Sequence, residues 1–455
     1  MGSNAEKSAE KKINWQQLAL LGVAATIGTG FFLGSTIAIQ MAGPSAVFAY
    51  IIAAIGTYFV YEALAKMTID DPQTGSFRTY ASKAFGHWAG FTSGWVYWGS
   101  EILIMGSQLT ALAIFTQFWL PGVQLWIFAA IYAALGIFVI LLGSSGFDRV
   151  ENVLAVMKVA AILMFIILAV IAILGFIGVK PPGRLMVPRA YGGLFPNGVK
   201  GLLPALIYGF YGFGGIEIVG LLTVRLKKMT DATKTGKVML STLALIYVAS
   251  IGLTILMVPW DTFASDQSPF VTALTRYRIP YVVNLFNGVF IIAGFSTMVA
   301  SMFAVIRILT VLAHDNDAPA FLGRKIHDKV ALPAISFMAF WVIVSVILSI
   351  LMPGKVYEYF TTAAGIMLLY NWLFILASYG RLQELTGFQQ FKRFGGILLV
   401  GLVIFGTLFH ETSRPGFFIS LIFVGLVGII TFFMRNHWNK PKTPDAPSLF
   451  TKIRR

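Results

Sequence analysis

The chain has 455 residues, 57% of them hydrophobic and 12% charged, with a mean hydropathy of +0.79. Soluble domains carry about a quarter charged residues, so this composition excludes a protein dissolved in water. The net charge of +15 invites a nucleic-acid reading that its distribution along the chain contradicts, and the absence of cysteine removes disulfides, thiolate metal sites and cysteine nucleophiles.

Taken in order, Met1 to Lys12 is polar, with no apolar stretch before a cleavage site, so the first span is expected to double as the targeting signal. About twelve apolar segments follow, at 16–41, 45–67, 87–118, 123–142, 153–177, 198–224, 238–260, 281–313, 332–352, 357–379, 395–409 and 415–434. Each run is read as a helix, because no strand-period alternation is present. The polar stretches between them, the longest at 70–83, 178–198 and 225–237, are too short to fold cores of their own. With both termini cytoplasmic, most of the 34 Lys and Arg fall on the inside loops. That is the positive-inside pattern, which orients the chain and leaves nucleic acid without support. The basic, proline-bearing tail 440–455 is expected to lie near anionic lipid headgroups.

Two glycine clusters interrupt spans. The first span enters from the inside and reaches Gly28, Thr29 and Gly30 after about 12 residues, or ~18 Å. The sixth enters from the outside and reaches Gly212, Phe213, Gly214 and Gly215 after a similar rise. Five spans from residue 16 and five from residue 198 thus have similar lengths and opposite orientation, the pattern of inverted repeats in transporters. Glycine is about 1 kcal/mol poorer than alanine inside a helix, and backbone groups freed in hydrocarbon need a partner. Gly30 and Gly34 also fit the spacing of a close helix contact, but two clusters at mirrored depth favour a site. A helix restarting after Gly30 would aim amides at a carboxylate, and carbonyls around Phe210, Tyr211 and Gly212 would accept from an ammonium. A site for both groups is an amino-acid site.

Ionisable residues inside spans are Glu101, Lys158 and Glu217, with Glu62 near the inner end of span two. Lys158 lies about 6 residues, or ~9 Å, inside span five, and is expected to exchange a proton with the cytoplasm in each cycle; snorkelling is the alternative. Glu217, just below the sixth-span glycines, either carries a proton or pairs with a backbone donor. Glu101, halfway through span three, either faces the cavity and favours a cationic substrate or ties helices together. Span eight offers Ser296, Thr297 and Ser301, which with Lys158 suggest a monovalent-cation pocket in which an ammonium replaces sodium.

The run Gly22 to Ser35, with Thr26, Ile27, Gly28, Thr29 and Gly30 at its centre, resembles the first-span signature of amino-acid permeases in the amino acid–polyamine–organocation superfamily. Gly43-Pro44, the run Gly75 to Ala81, the run Phe213 to Gly220, and Ala313 followed by Asp317-Ala318-Pro319 match the same family in order. The resemblance covers nearly the whole chain. It implies an all-α membrane protein of the leucine-transporter fold, with two inverted five-helix repeats (16–177 and 198–379) and two further helices (395–434), working by alternating access. It further implies a substrate carboxylate at Thr26 to Gly30, an ammonium at Phe210 to Gly212, an aromatic gate at Tyr211, and Lys158 standing in for sodium. The chain departs from the family at Arg225 and Met229, where relatives carry an acid and a proline. It departs again at Gln108, where relatives often have glutamate; here the acid lies two turns earlier, at Glu101.

The expectation is therefore a proton-driven importer of neutral amino acids in a bacterial cytoplasmic membrane, with no cofactor and no metal. An exchanger or cationic amino-acid carrier is the alternative within transport, and a non-transporting sensor the alternative outside it. An intramembrane enzyme would need paired groups inside spans, whereas His87, His314, His327, His410 and His437 stand at or beyond span ends with no ligand spacing.

Overall fold

A computed structural model describes residues 12–438 apart from 74, 143, 178–190, 279, 325–330 and 353. The tail 440–455, His327 and most of the 178–198 loop lie outside the described residues, as does the side chain of His437.

The first pass is built from three pieces, α1 (Trp15–Thr26), α2 (Thr29–Phe32) and α3 (Gly34–Ala42). A tight turn at Gly43, with φ +62°, leads into α4 (Ala46–Asp70). Only glycine suits that turn, since a Cβ there would lie 2.5 Å from Pro196 Cγ. Next come α5 (Ser76–Phe85), α6 (His87–Gln117), α7 (Leu125–Leu142), α8 (Ser144–Leu174) and the short α9 (Tyr191–Leu194). The sixth pass is again split, into α10 (Gly198–Gly212) and α11 (Ile216–Leu222). The remainder is α12 (Ala232–Met257), α13 (Pro269–Arg276), α14 (Pro280–His314), α15 (Leu332–Leu351), α16 (Val356–Leu382), α17 (Gly387–Gly406) and α18 (Arg414–Trp438). Among the described residues the sole β contact is an isolated bridge between Ile13 and Leu226.

Eleven segments of the described chain are long and apolar enough to cross a bilayer, and the one over Thr29–Asp70 holds two passes separated by the 3-10 turn Gly43–Ser45. That makes twelve passes. Several boundaries differ from the sequence reading: α8 begins at Ser144 rather than 153 and α12 at Ala232 rather than 238, and two further differences have a visible cause. The polar stretch 70–83 contains a helix, α5, which hydropathy passes over because its faces differ. Pass eleven begins at Gly387 rather than Gly395, since Lys392 and Arg393 lie on helical turns where they find partners. Lys392 donates to Glu62 on α4 at 2.5 Å, and Arg393 donates to the Leu376 carbonyl at 3.1 Å. Glu62, also paired with Lys66 at 3.2 Å, is thus a tie between α4 and α17.

The centre of the bundle is α6, whose most apolar stretch is 89% buried, against 17% for α18. Lipid tails are as apolar as leucine, so close packing rather than water exclusion holds such helices together. Small residues allow it: a Cβ on Gly201 of α10 would meet the Met41 carbonyl at 2.2 Å, and one on Gly236 of α12 the Tyr61 ring at 1.8 Å. Buried hydroxyls bond back along their own helices, as Thr68 does to Leu64 and Ser250 to Ile246.

Candidate functional site

Both split passes break at their glycine clusters. α1 closes with the Ile27 amide on the Val23 carbonyl at 3.2 Å, and Thr26 Oγ1 donates to the Gly22 carbonyl at 2.8 Å. Ile27 and Gly28 belong to neither helix. α2 restarts with the Phe31 and Phe32 amides on the Gly28 carbonyl, both at 3.0 Å, so the amides of Thr29 and Gly30 precede its first internal bonds.

The sixth pass unwinds at Phe213, Gly214 and Gly215, within the glycine cluster 212–215, so that the carbonyls of Phe210 to Gly212 lie at the end of α10 next to the break. The Phe213 and Gly214 amides fold back onto the Phe210 and Tyr211 carbonyls at 3.0 Å, and the Gly212 carbonyl accepts from Tyr247 at 3.0 Å. The Phe210 and Gly212 carbonyls thus each keep a lone pair in reserve, whereas the Tyr211 carbonyl is approached by both the Phe213 and Gly214 amides. Gly215, at φ +105°, turns the chain into α11, and a side chain there would be strained.

The two breaks face one another. A Cβ on Gly30 would stand 2.6 Å from Tyr211 Cε1, and one on Gly215 would stand 3.8 Å from Thr26 Oγ1. α14 closes the third side, with Thr297 Cγ2 3.1 Å from where a Gly28 Cβ would be. The Thr297 hydroxyl bonds back to the Ala293 and Gly294 carbonyls at 3.2 and 2.9 Å. Tyr211 meets Ser107 of α6, oxygen to oxygen, at 2.7 Å, and Tyr357 of α16 donates to the Thr29 carbonyl at 3.0 Å. Phe31 stacks on Tyr247 with centroids 3.8 Å apart and meets Tyr50 edge-on.

The carboxyl groups lie beside this centre. Glu217, fully buried, accepts from the Gly215 amide at 3.0 Å and from the Trp372 indole of α16. Glu101 lies within reach of the Tyr97 and Ser301 hydroxyls and near Glu217. Ser301 thus lies beside Glu101, while Thr297 faces the first-span break. Lys158 is fully buried on α8, which packs against α1, α12 and α14, and it is engaged rather than free. Deep as they lie, Glu101, Gln108, Tyr211, Thr297 and Ser301 keep 5–8% of their surface open, so a space wide enough for water reaches them. Buried polar atoms without a partner include Thr29 Oγ1, Tyr50 Oη and Gln108 Oε1. Among the described residues, no three His, Asp or Glu gather as metal ligands would.

Ser107, Tyr357, Tyr247 and Trp372 complete the site and carry no signal of their own in the sequence, since each is an unremarkable residue of an apolar span. A second polar cluster stands where α5, α6 and the end of α14 meet. There Arg78 pairs with Asp315 at 2.6 Å and with Asp317, while His87 meets Asp317 at 2.7 Å. These groups border a cavity of about 310 Å³.

Comparison with known proteins agrees with this architecture. The family model described as amino acid permease matches residues 17–434. An uncharacterized transporter of Bacillus subtilis is 48% identical over 98% of this chain and 100% of its own. The aromatic amino acid transport protein of Corynebacterium glutamicum is 30% identical over 81% of each chain. The L-asparagine permease of Escherichia coli is 29% identical over 83% of this chain and 77% of its own. With a family model spanning all twelve passes and both helix breaks, the chain belongs to the amino acid permease family of the amino acid–polyamine–organocation superfamily.

Proposed function

We propose that this permease imports neutral amino acids by proton symport, with alternating access around the facing breaks of passes one and six. The observation that carries the reading is that facing itself: two interrupted passes lie side by side, with Gly30 just past the first break against the Tyr211 ring and Gly215 of the second break beside Thr26. In hydrocarbon, such backbone persists only where protein, water or a ligand satisfies it. The Thr29 and Gly30 amides suit a carboxylate, and the carbonyls of Phe210 to Gly212, with lone pairs spare at Phe210 and Gly212, suit an ammonium. Two relatives are named for aromatic amino acids and for L-asparagine, all uncharged in the side chain, which supports a neutral substrate class.

Coupling is assigned to Lys158 and Glu217, both fully buried. An ionisable group kept inside a span at such cost is functional by default. Protonation of Lys158 on each cycle would brace α8 against α1 and set the shape of the first-span break. Both termini are proposed to be cytoplasmic, on the strength of the basic loops. The repeats are proposed to span 16–177 and 198–379, since the first pass of each is the broken one. Glu101 favours a cationic substrate as the second reading, weakened by the hydroxyls of Tyr97 and Ser301 that lie within reach of its carboxyl.

Binding and flux measured on one reconstituted preparation test the reading. Wild type is expected to bind amino acids and to accumulate them along a pH gradient, and Lys158→Ala to abolish accumulation while keeping a monodisperse, folded protein. Binding without flux in wild type would make the chain a sensor, and normal accumulation by Lys158→Ala would remove the lysine from the mechanism.

A further inference from the structure

α6 presents two different faces. Gly99 and Gly106 lie against α16, where a Cβ on either would meet Met367 at 2.7 Å or Phe360 at 2.5 Å. Gln108, two residues past Gly106, points to the opposite side, and Glu101 lies two turns away on that same face. Contacts on either side of Gln108 fix what it faces. Ser107 meets the Tyr211 hydroxyl at 2.7 Å. Leu112, one turn further on, packs with Thr29 around Gly294 of α14, where a Cβ would meet Leu112 at 3.0 Å and Thr29 at 2.8 Å. Gln108, 7% exposed, lies on α6 between these contacts, one turn from the residue that packs with Thr29 of the first-span break, and its Oε1 is buried without a partner.

We propose that Gln108 is the specificity-determining residue of this permease and selects neutral amino acids whose side chains carry a hydroxyl or an amide. The inference rests on the amino-acid site proposed above and names the side chains that site accepts. A buried acceptor left unpaired is costly, and a ligand that supplies its partner recovers that cost. A carboxamide holds an acceptor and two donors on one group, so a hydroxyl or an amide pairs with whichever atom turns inward. An apolar side chain of the same shape leaves the amide unpaired and is rejected, the asymmetry that lets a hydrogen-bonding site discriminate more sharply than a greasy one. A full positive charge finds no countercharge at Gln108, and the Glu101 carboxyl lies two turns away.

The test is a thermal-shift titration of the full chain in nanodiscs against isosteric pairs, threonine with valine and asparagine with leucine. A ligand that binds only the folded state raises its apparent stability by an amount that grows with the logarithm of its concentration over Kd. Wild type is expected to prefer the polar member of each pair, and Gln108→Leu to lower that preference about tenfold, as loss of one neutral hydrogen bond does. Gln108→Glu, equal in shape, is expected to gain lysine binding, and it carries the test alone should Gln108→Leu fail to fold. An unchanged preference in the variants, or an equal loss for all amino acids, overturns the assignment, because the side chain would then hold nothing or only the shared backbone groups. Failure of wild type to bind any amino acid would instead overturn the site itself.

Discussion

At the scale of single residues, the site depends on positions where nothing larger than hydrogen fits. A methyl group on Gly30 would press into Tyr211 at Cε1 and Cδ1, 2.6 and 2.7 Å away, and drive the ring off Ser107. Gly30→Ala is therefore expected to cost about 1–3 kcal/mol through overpacking and to weaken amino-acid binding at least tenfold, with thermal melts and ligand titration reading the two effects separately. A variant that binds as wild type does would show that Tyr211 does not border the substrate. Gly28, Gly30, Lys158 and Glu217 are legible in the sequence because glycine clusters and charges are anomalous inside an apolar span. Their partners are not legible, because Ser107, Trp372 and Tyr357 lie 104, 155 and 328 residues from the groups they bind, and nothing in a serine or a tryptophan announces so distant a contact. The sixth-span break illustrates the same limit. Its glycines announce the opening, but not the partners that hold it: the Tyr247 hydroxyl on the Gly212 carbonyl and the Glu217 carboxylate on the Gly215 amide approach from other turns and helices.

Between elements, ion pairs and short loops hold the helices in register. Arg78 joins α5 to the end of α14 through Asp315 and Asp317, and His87 at the start of α6 shares Asp317. The ends of passes one and six are likewise tied, by the Ile13 amide on the Arg225 carbonyl at 2.9 Å and the Lys227 amide on the Ile13 carbonyl at 3.0 Å. The second tie joins the two passes that carry the breaks. The loop between α17 and α18 has a simpler pH dependence. Burial holds the His410 imidazole below its ordinary range, against an opposing pull from Glu411, and its Nδ1 accepts from the Thr412 amide at 3.3 Å. The folded state thus binds the proton less readily than the unfolded chain, whose histidine titrates near ~6.5. The contribution to stability is present above that value and is lost as pH falls through it toward the lower folded value. Melting measured at pH 7 and pH 5 should show wild type losing more stability than His410→Gln; equal losses would place the histidine outside the balance. Helix α5 and the early start of α17 were not legible from hydropathy, because their polar residues are satisfied by neighbours rather than by water.

For the whole molecule, twelve passes could be read from the length and spacing of apolar runs, because the bilayer imposes one thickness on every span. Which passes sit at the centre could not. α6 and α18 are both long and apolar, yet α6 is enclosed and α18 faces outward, a difference made by partners and not by composition. Nor does the sequence reveal that the two breaks lie side by side, which makes two weak points one candidate site. Uptake of a labelled neutral amino acid into liposomes that contain no amino acid, with the outside made acid, tests the central claim most directly. The account predicts accumulation above the external concentration that collapses when the pH gradient is dissipated. Uptake that ignores the gradient and occurs only when amino acid is loaded inside would contradict it and establish exchange instead.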